Sequence, residues 1–166
     1  MNRRRVWWAA GTGVVVPAAV AVLAVVLPGH EPERLPVRAR EYTDTRVCLL
    51  TDGQGVSGAA AAPVWAGMQD ASAVTHAQVA SLPVLGPATV ANAQPYVNTL
   101  VQQKCTTVLA GDEVQGQALR AVAAANPKVR FVVVGQGSAA ANLTVVQPSS
   151  DVRSAVAKIV GDAGKD

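Results

Sequence analysis

The sequence predicts an α/β domain: a single doubly wound parallel sheet of about five strands, preceded by one transmembrane helix. Three observations predict it. From Arg46 onward, short apolar runs alternate with helix-length amphipathic stretches, which is the pattern of βαβ units. The runs are apolar on both faces, as a sheet covered on both sides requires. Before them, an uncharged stretch of 22 residues, Val6 to Leu27, follows Arg3, Arg4 and Arg5.

The N-terminal stretch comes first. About 20 apolar residues span a bilayer core. Arginines stay on the cytoplasmic side, and Trp7 and Trp8 fit an interfacial aromatic belt. Residues 1–5 therefore read as a cytoplasmic basic tip and 6–27 as a membrane anchor or uncleaved signal. A cleaved signal peptide is the rival, but its apolar core is shorter and "VVLPGH" is a poor cleavage site. Residues 28–45 carry three prolines and mixed charge with no apolar period, so they read as a linker. The expected location is the cell membrane: single-pass, N-terminus cytoplasmic, with 46–166 an extracytoplasmic domain.

Within that domain, "RVCLLT" (46–51) is a first strand ending at Asp52 and glycines. "APVWAGMQDASAV" (62–74) sets Val64, Trp65, Met68 and Ala71 at helical spacing, with Trp65 and Met68 read as core. "AQVASLPV" (77–84) is a second strand. "NAQPYVNTLVQQK" (92–104) puts Tyr96, Leu100 and Val101 on one helical face. "CTTVLAG" (105–111) is a third strand, and "EVQGQALRAVAAANP" (113–127) a helix stopped by Asn126-Pro127. "VRFVVVG" (129–135) and "LTVVQ" (143–147) are strands four and five. "SSDVRSAVAKIVGD" (149–162) is a last helix capped by Ser149 or Ser150. Loops at the carboxyl ends of such strands form the usual ligand crevice. Here they start at Asp52, Leu85, Gly111 and Gly135.

Composition narrows the function. The chain has 166 residues, 50% of them hydrophobic but 4% aromatic, so its core is made of small side chains. Of the 14 Lys/Arg, eight lie from Arg46 onward against seven Asp/Glu, a nearly neutral domain. The basic excess sits in the N-terminal tail, which argues against a nucleic-acid partner. Two cysteines and two distant histidines, His30 and His76, lack metal-ligand spacing. No acid–base pair or activated nucleophile is assembled, so neither an enzyme nor a cofactor is expected.

Gly53, Gly55 and Gly58 spell G-x-G-x-x-G just after strand one. A dinucleotide turn also needs an acid about 20 positions on, and "SLPVLGP" has none. Gly55-Val56-Ser57-Gly58-Ala59 approximates a nucleophile elbow, but its partner would have to be His76, at the opposite end of strand two. A tight turn without a ligand is the plain alternative. A turn of this kind also exposes backbone N–H groups at a helix start, which suits a polar ligand. Cys48 and Cys105 open neighbouring strands in a 2-1-3 order. A disulfide between them is permitted outside the cytoplasm, and two buried thiols are the alternative. Asp112-Glu113 reads either as a wall of the crevice or as a helix cap and dipole partner. Asn142-Leu143-Thr144 matches a glycosylation sequon.

The order "RVCLLTDGQG", "VWAGMQDA", "YVNTLVQQKCTTVLAGD", "ALRAVAAANPKVRFVVV" and "NLTVVQ" resembles the basic membrane protein family of ABC-transporter substrate-binding proteins. Its better-known members bind purine nucleosides. The likeness covers 46–160, the family's first lobe alone. It implies a periplasmic-binding-protein-like lobe and a nucleoside-like small-molecule ligand. It also implies an ABC permease, a second-lobe protein or a second copy as partner. Thr51-Asp52, Gly53, Gly55 and Trp65-Ala66-Gly67 match the family pattern, and Asp52 carries over as a ligand contact. The family's Phe-Asn pair falls on Ala59–Ala62, and its aspartate after strand four is Gly135 here. The candidate ligand-binding set is thus Asp52, Gly53, Gln54, Gly55, Asp112 and Gly135. A decayed, non-catalytic interaction domain is the alternative function.

Overall fold

The structure is a computed structural model that describes residues 41–148 and 151–163. The apolar run 6–27, the linker up to residue 40 and the expected cap at Ser149 or Ser150 lie outside the described residues. No helix among the described residues is long and apolar enough to cross a membrane.

Five strands form one parallel sheet: β1 (Arg46–Thr51), β2 (Gln78–Pro83), β3 (Thr107–Ala110), β4 (Arg130–Val134) and β5 (Leu143–Val146), in the order β2-β1-β3-β4-β5. Four helices cover it: α1 (Ala61–Thr75), α2 (Val90–Gln102), α3 (Glu113–Ala123) and α4 (Val152–Ala163). Strand periodicity sorts the core into two layers. Cys48, Leu50, Val108, Phe131 and Val133 face α2 and α3, meeting Val97, Leu100 and Leu119. Val47, Leu49, Leu109, Val132 and Val134 face α1 and α4, meeting Val64, Met68 and Val156. Met68 is fully buried, whereas Trp65 is partly exposed and packs against this second layer.

Small side chains let the layers close. A Cβ on Gly67 would collide with the Arg153 carbonyl of α4, so α1 and α4 meet backbone to backbone there. Arg153 also forks onto Asp70, Nε to Oδ2 at 2.6 Å and Nη2 to Oδ1 at 2.8 Å. The bond holds the Asp70 carboxyl below its usual range.

Cys48 and Cys105 form a disulfide, Cα to Cα 5.9 Å, and both are buried. The bridge avoids the awkward geometry of parallel neighbours because the two are not opposite one another. Cys48 pairs in register with Val108, and Cys105 lies ahead of β3. Its backbone still belongs to the end of α2. Lys104 takes φ +62° and its N–H donates to Val101 O, while Cys105 N–H donates to Leu100 O. This Schellman turn delivers the thiol from the helical layer. It also explains why β3 begins at Thr107 rather than at Cys105.

α2 starts earlier than its apolar face suggested. Thr89 caps it, accepting from Asn92 N–H at 3.2 Å. α3 stops at Ala123, short of Asn126-Pro127. Below it, Asn142 Nδ2 donates to Ala123 O, Asn126 O and Val129 O at 2.9, 2.9 and 3.0 Å. That amide is committed to tying α3 to the sheet, so the sequon's nitrogen is structural rather than a glycan acceptor in the folded chain.

Candidate functional site

Sheet order reverses between β1 and β3, the switch point at which doubly wound folds bind ligands. The loops at those carboxyl ends hold Asp52 and Asp112. Asp52 follows Thr51, whose buried hydroxyl donates to the Asp52 carbonyl at 3.1 Å. Asp112 follows Gly111, over which the Ala60 carbonyl closes so tightly that a Cβ would strike it.

The two aspartates meet. The Asp112 carboxyl is pushed above its ordinary range, first by burial and then by the charge of Asp52, while the Asp52 N–H bonded to it pulls the other way. Its Oδ2 is buried with no hydrogen-bond partner among the described residues. Asp112 does sit at the N-cap of α3, as one reading expected, yet its side chain makes no capping bond. It is turned back toward β1. Glu113 supplies the acid of α3's first turn instead.

Beside the pair lies a crevice of about 560 Å³, lined by Ala60, Pro63, Gly111, Glu113, Gly135 and Val152 among others. The first turns of α1, α3 and α4 all border it, and their dipoles favour the Glu113 carboxylate there. Glu113 Oε1 accepts from Gln117 at 2.8 Å. Gly135 has φ +153°, a conformation that favours glycine, and it faces Glu113 Oε2 across an ordinary contact.

The glycine turn behaves differently from the expectation of free amides. Gln54 N–H donates to Asp52 Oδ1 at 2.9 Å, Gly55 N–H to Asp52 O at 3.1 Å, and Gly58 N–H to Gly55 O at 3.2 Å. Ser57 Oγ donates to Gln54 O at 2.9 Å, so it is no activated nucleophile. The turn, a 3-10 turn at Gly55–Ser57 with Gln54 at its N-cap, thus binds itself, and Asp52 accepts from the amides that lead into it. Of the predicted set, Asp52 and Asp112 are brought together, and Gly135 lines the adjoining crevice. Gly53, Gln54 and Gly55 form the turn and are not in the crevice lining. Glu113, read with Asp112 as a possible wall of the crevice, does line it, whereas the walls at Ala60, Pro63 and Val152 were not foreseen. The signal for Glu113 was its place in the first turn after a strand. The apolar walls carried none. Among the described residues no cluster of His, Cys, Asp and Glu suits a metal ion.

No family model matches the chain. No curated protein matches it either. Solved structures share its fold. The crystal structure of a fragment of a candidate lipoprotein from Peptoclostridium difficile 630 aligns with a TM-score of 0.61 at 13% identity, over 74% of this chain and 99% of that one. An ABC-transporter solute-binding protein from Aeropyrum pernix K1 aligns with a TM-score of 0.50 at 14% identity, over 61% of this chain. The match spans 28% of that protein. The chain therefore has the α/β fold of one periplasmic-binding-protein-like lobe, with a single five-strand parallel sheet.

Proposed function

We propose that this chain is a membrane-tethered, extracytoplasmic lobe of the solute-binding type, with no reaction of its own. It holds a small, uncharged polar ligand of the nucleoside kind at the carboxyl ends of β1, β3 and β4. The observation that carries this is the Asp52–Asp112 pair at the switch point, whose buried Oδ2 accepts nothing, beside a crevice of about 560 Å³. A buried acceptor without a donor is costly, and a ligand hydroxyl or amine relieves it. Phosphates are disfavoured, because the Glu113 carboxylate lines the space and the Asp52–Asp112 pair lies beside it. The resemblance to the basic membrane protein family supports the nucleoside class through Asp52. One lobe encloses one side of a ligand, so binding is weak unless a permease or second lobe completes the clamp.

The location rests on the arginines and apolar run of 1–27, and on the disulfide, which suits an oxidising compartment. The second reading, an interaction domain without a ligand, draws on the alanines at 59–62 and on the Ala60 carbonyl packed over Gly111. Titration calorimetry of the full chain in detergent decides between them, using adenosine, guanosine, inosine and cytidine with matching monophosphates as controls. Heat with nucleosides that vanishes in Asp52→Ala supports the first reading. Silence at millimolar ligand leaves the second.

A further inference from the structure

β2 is an edge strand, paired with β1 on one side and with no strand on the other among the described residues. Two hydrogen bonds fix which of its groups look outward. Gln78 N–H donates to Thr45 O at 2.9 Å and Val84 N–H to Thr51 O at 2.9 Å, both inward. Successive residues alternate, so the N–H and C=O groups of Val79 and Ser81 point away from the sheet. The third outward position is Pro83, which has no N–H.

Open edges are ordinarily guarded by charge, lysine above all. None is present from Ala77 to Leu85. The flanks are aromatic instead. Of the four aromatic residues described, Tyr42 lies by the amino end of this strand and Tyr96 by its carboxyl end, while Trp65 packs against the α1 layer and Phe131 sits in the central core. Trp65, Gln69 and Ser72 share one stripe of α1. Gln69, Ser72, Tyr42, Gln78 and Val79 line a cavity of about 460 Å³ at the amino end of β2. At the carboxyl end, Leu85 is held by its backbone to the Tyr96 hydroxyl and is 63% exposed.

We infer that β2 is a self-association edge. Two copies pair β2 antiparallel about a two-fold axis at Ala80, so that the two five-stranded sheets run on as one. Val79 then stands opposite Ser81 of the second copy, and every outward N–H of both strands gains a carbonyl. The two unlike ends of the strand select a second copy over a foreign strand. The axis carries each copy's protruding Leu85 past the amino end of the other's β2, where the cavity lies. A contact of this kind is isologous, and a charge near the axis would face its own copy, which suits an edge that carries none.

The test uses the full chain in detergent. Light scattering should give a dimer. Opposed residues in an antiparallel pair hold their Cβ atoms about 4.5–5.5 Å apart, so Ala80→Cys should close into a disulfide-linked dimer under mild oxidation. The wild type should give none, since its two cysteines are bonded to each other. Thr144→Cys, on the opposite edge strand β5, should also give no disulfide-linked dimer. Ser81→Lys should weaken the dimer at least about tenfold with its melting temperature as a monomer unchanged. A monomer at every concentration overturns the inference, whether or not it captures an extended peptide. So does equal crosslinking through Thr144→Cys, which marks random collision. A dimer that survives Ser81→Lys and leaves Ala80→Cys uncrosslinked also overturns it and assigns the contact elsewhere, the apolar N-terminal run included. None of these outcomes depends on whether the crevice binds a nucleoside.

Discussion

The amino and carboxyl ends of the sheet are built to different rules. At the amino end several polar groups tie one element to another. The disulfide joins β1 to the turn before β3, Arg46 donates to Gln103 O and to Gln78 Oε1, and Asn142 serves three carbonyls. At the carboxyl end a buried carboxylate oxygen is left without a partner beside an open crevice. The amino end is therefore where the fold's stability concentrates. The carboxyl end is where satisfaction has been withheld, as ligand sites commonly require.

The largest test of that contrast removes the disulfide. Its ends are 57 residues apart, and closing such a loop restrains the unfolded chain by about 4 kcal/mol on the chain-entropy argument. The Cys48→Ala/Cys105→Ala chain should unfold at much lower guanidinium concentration than the wild type, and reducing agent should mimic it. A loss below about 1 kcal/mol would remove the amino end's claim to be the anchor of the fold.

Next is Asn142→Ala, which takes both side-chain N–H groups away from the three carbonyls at the foot of α3. With two N–H groups at about 1 kcal/mol each, a loss of about 2 kcal/mol is expected in denaturant unfolding. Asn142→Asp should fail to restore it, because a carboxylate cannot donate. If Asn142→Ala were silent, the amino end would be held by the bridge alone.

Gly111→Ala probes the carboxyl end where it is tight rather than open. The added methyl meets the Ala60 carbonyl, and overpacking of this kind costs about 1–3 kcal/mol. The melting temperature should fall, and any nucleoside heat should fall with it, because Ala60 also lines the crevice. Wild-type stability in this variant would show that the loop before α1 slides away freely.

The sequence made the sheet legible and left the site half-read, for physical reasons. Each strand was a compact apolar run, and burial on both faces is a property of composition. Helix ends were less visible. Thr89 caps α2 ahead of the Tyr96, Leu100 and Val101 face by which the helix was read, and the Schellman turn at Lys104 uses a lysine where glycine is usual. The glycine turn misled because spacing shows that glycines permit a bend but not where its amides go. Here Asp52 Oδ1 and O take two of them. The meeting of Asp52 with Asp112 depends on β1 lying beside β3, which the 2-1-3 order implied. The lone Oδ2 does not follow from any pattern of residues, because it depends on which way one side chain turns.

The smallest effect has the opposite sign. Asp112's carboxyl titrates above its ordinary value near 3.8 in the folded chain, from burial and from the charge of Asp52. The folded state thus holds that proton more firmly than the unfolded state does. The stability this proton contributes is fully present below 3.8 and is lost as pH rises through the folded value. At pH 7 the ionised group is a net cost, discounted because the side chain is partly solvated. Asp112→Asn should therefore stabilise the chain by about 0.5 kcal/mol at pH 7. The gain should shrink toward zero as pH falls below 4, where aspartic acid and asparagine are both neutral. Thermal melts of the two chains across that range measure it. A constant difference at all pH would assign the effect to packing, and a loss at pH 7 would mean the carboxylate has a partner after all. If the same variant gains stability and loses nucleoside heat, the unpartnered oxygen at the carboxyl end is kept for the ligand at the expense of the fold.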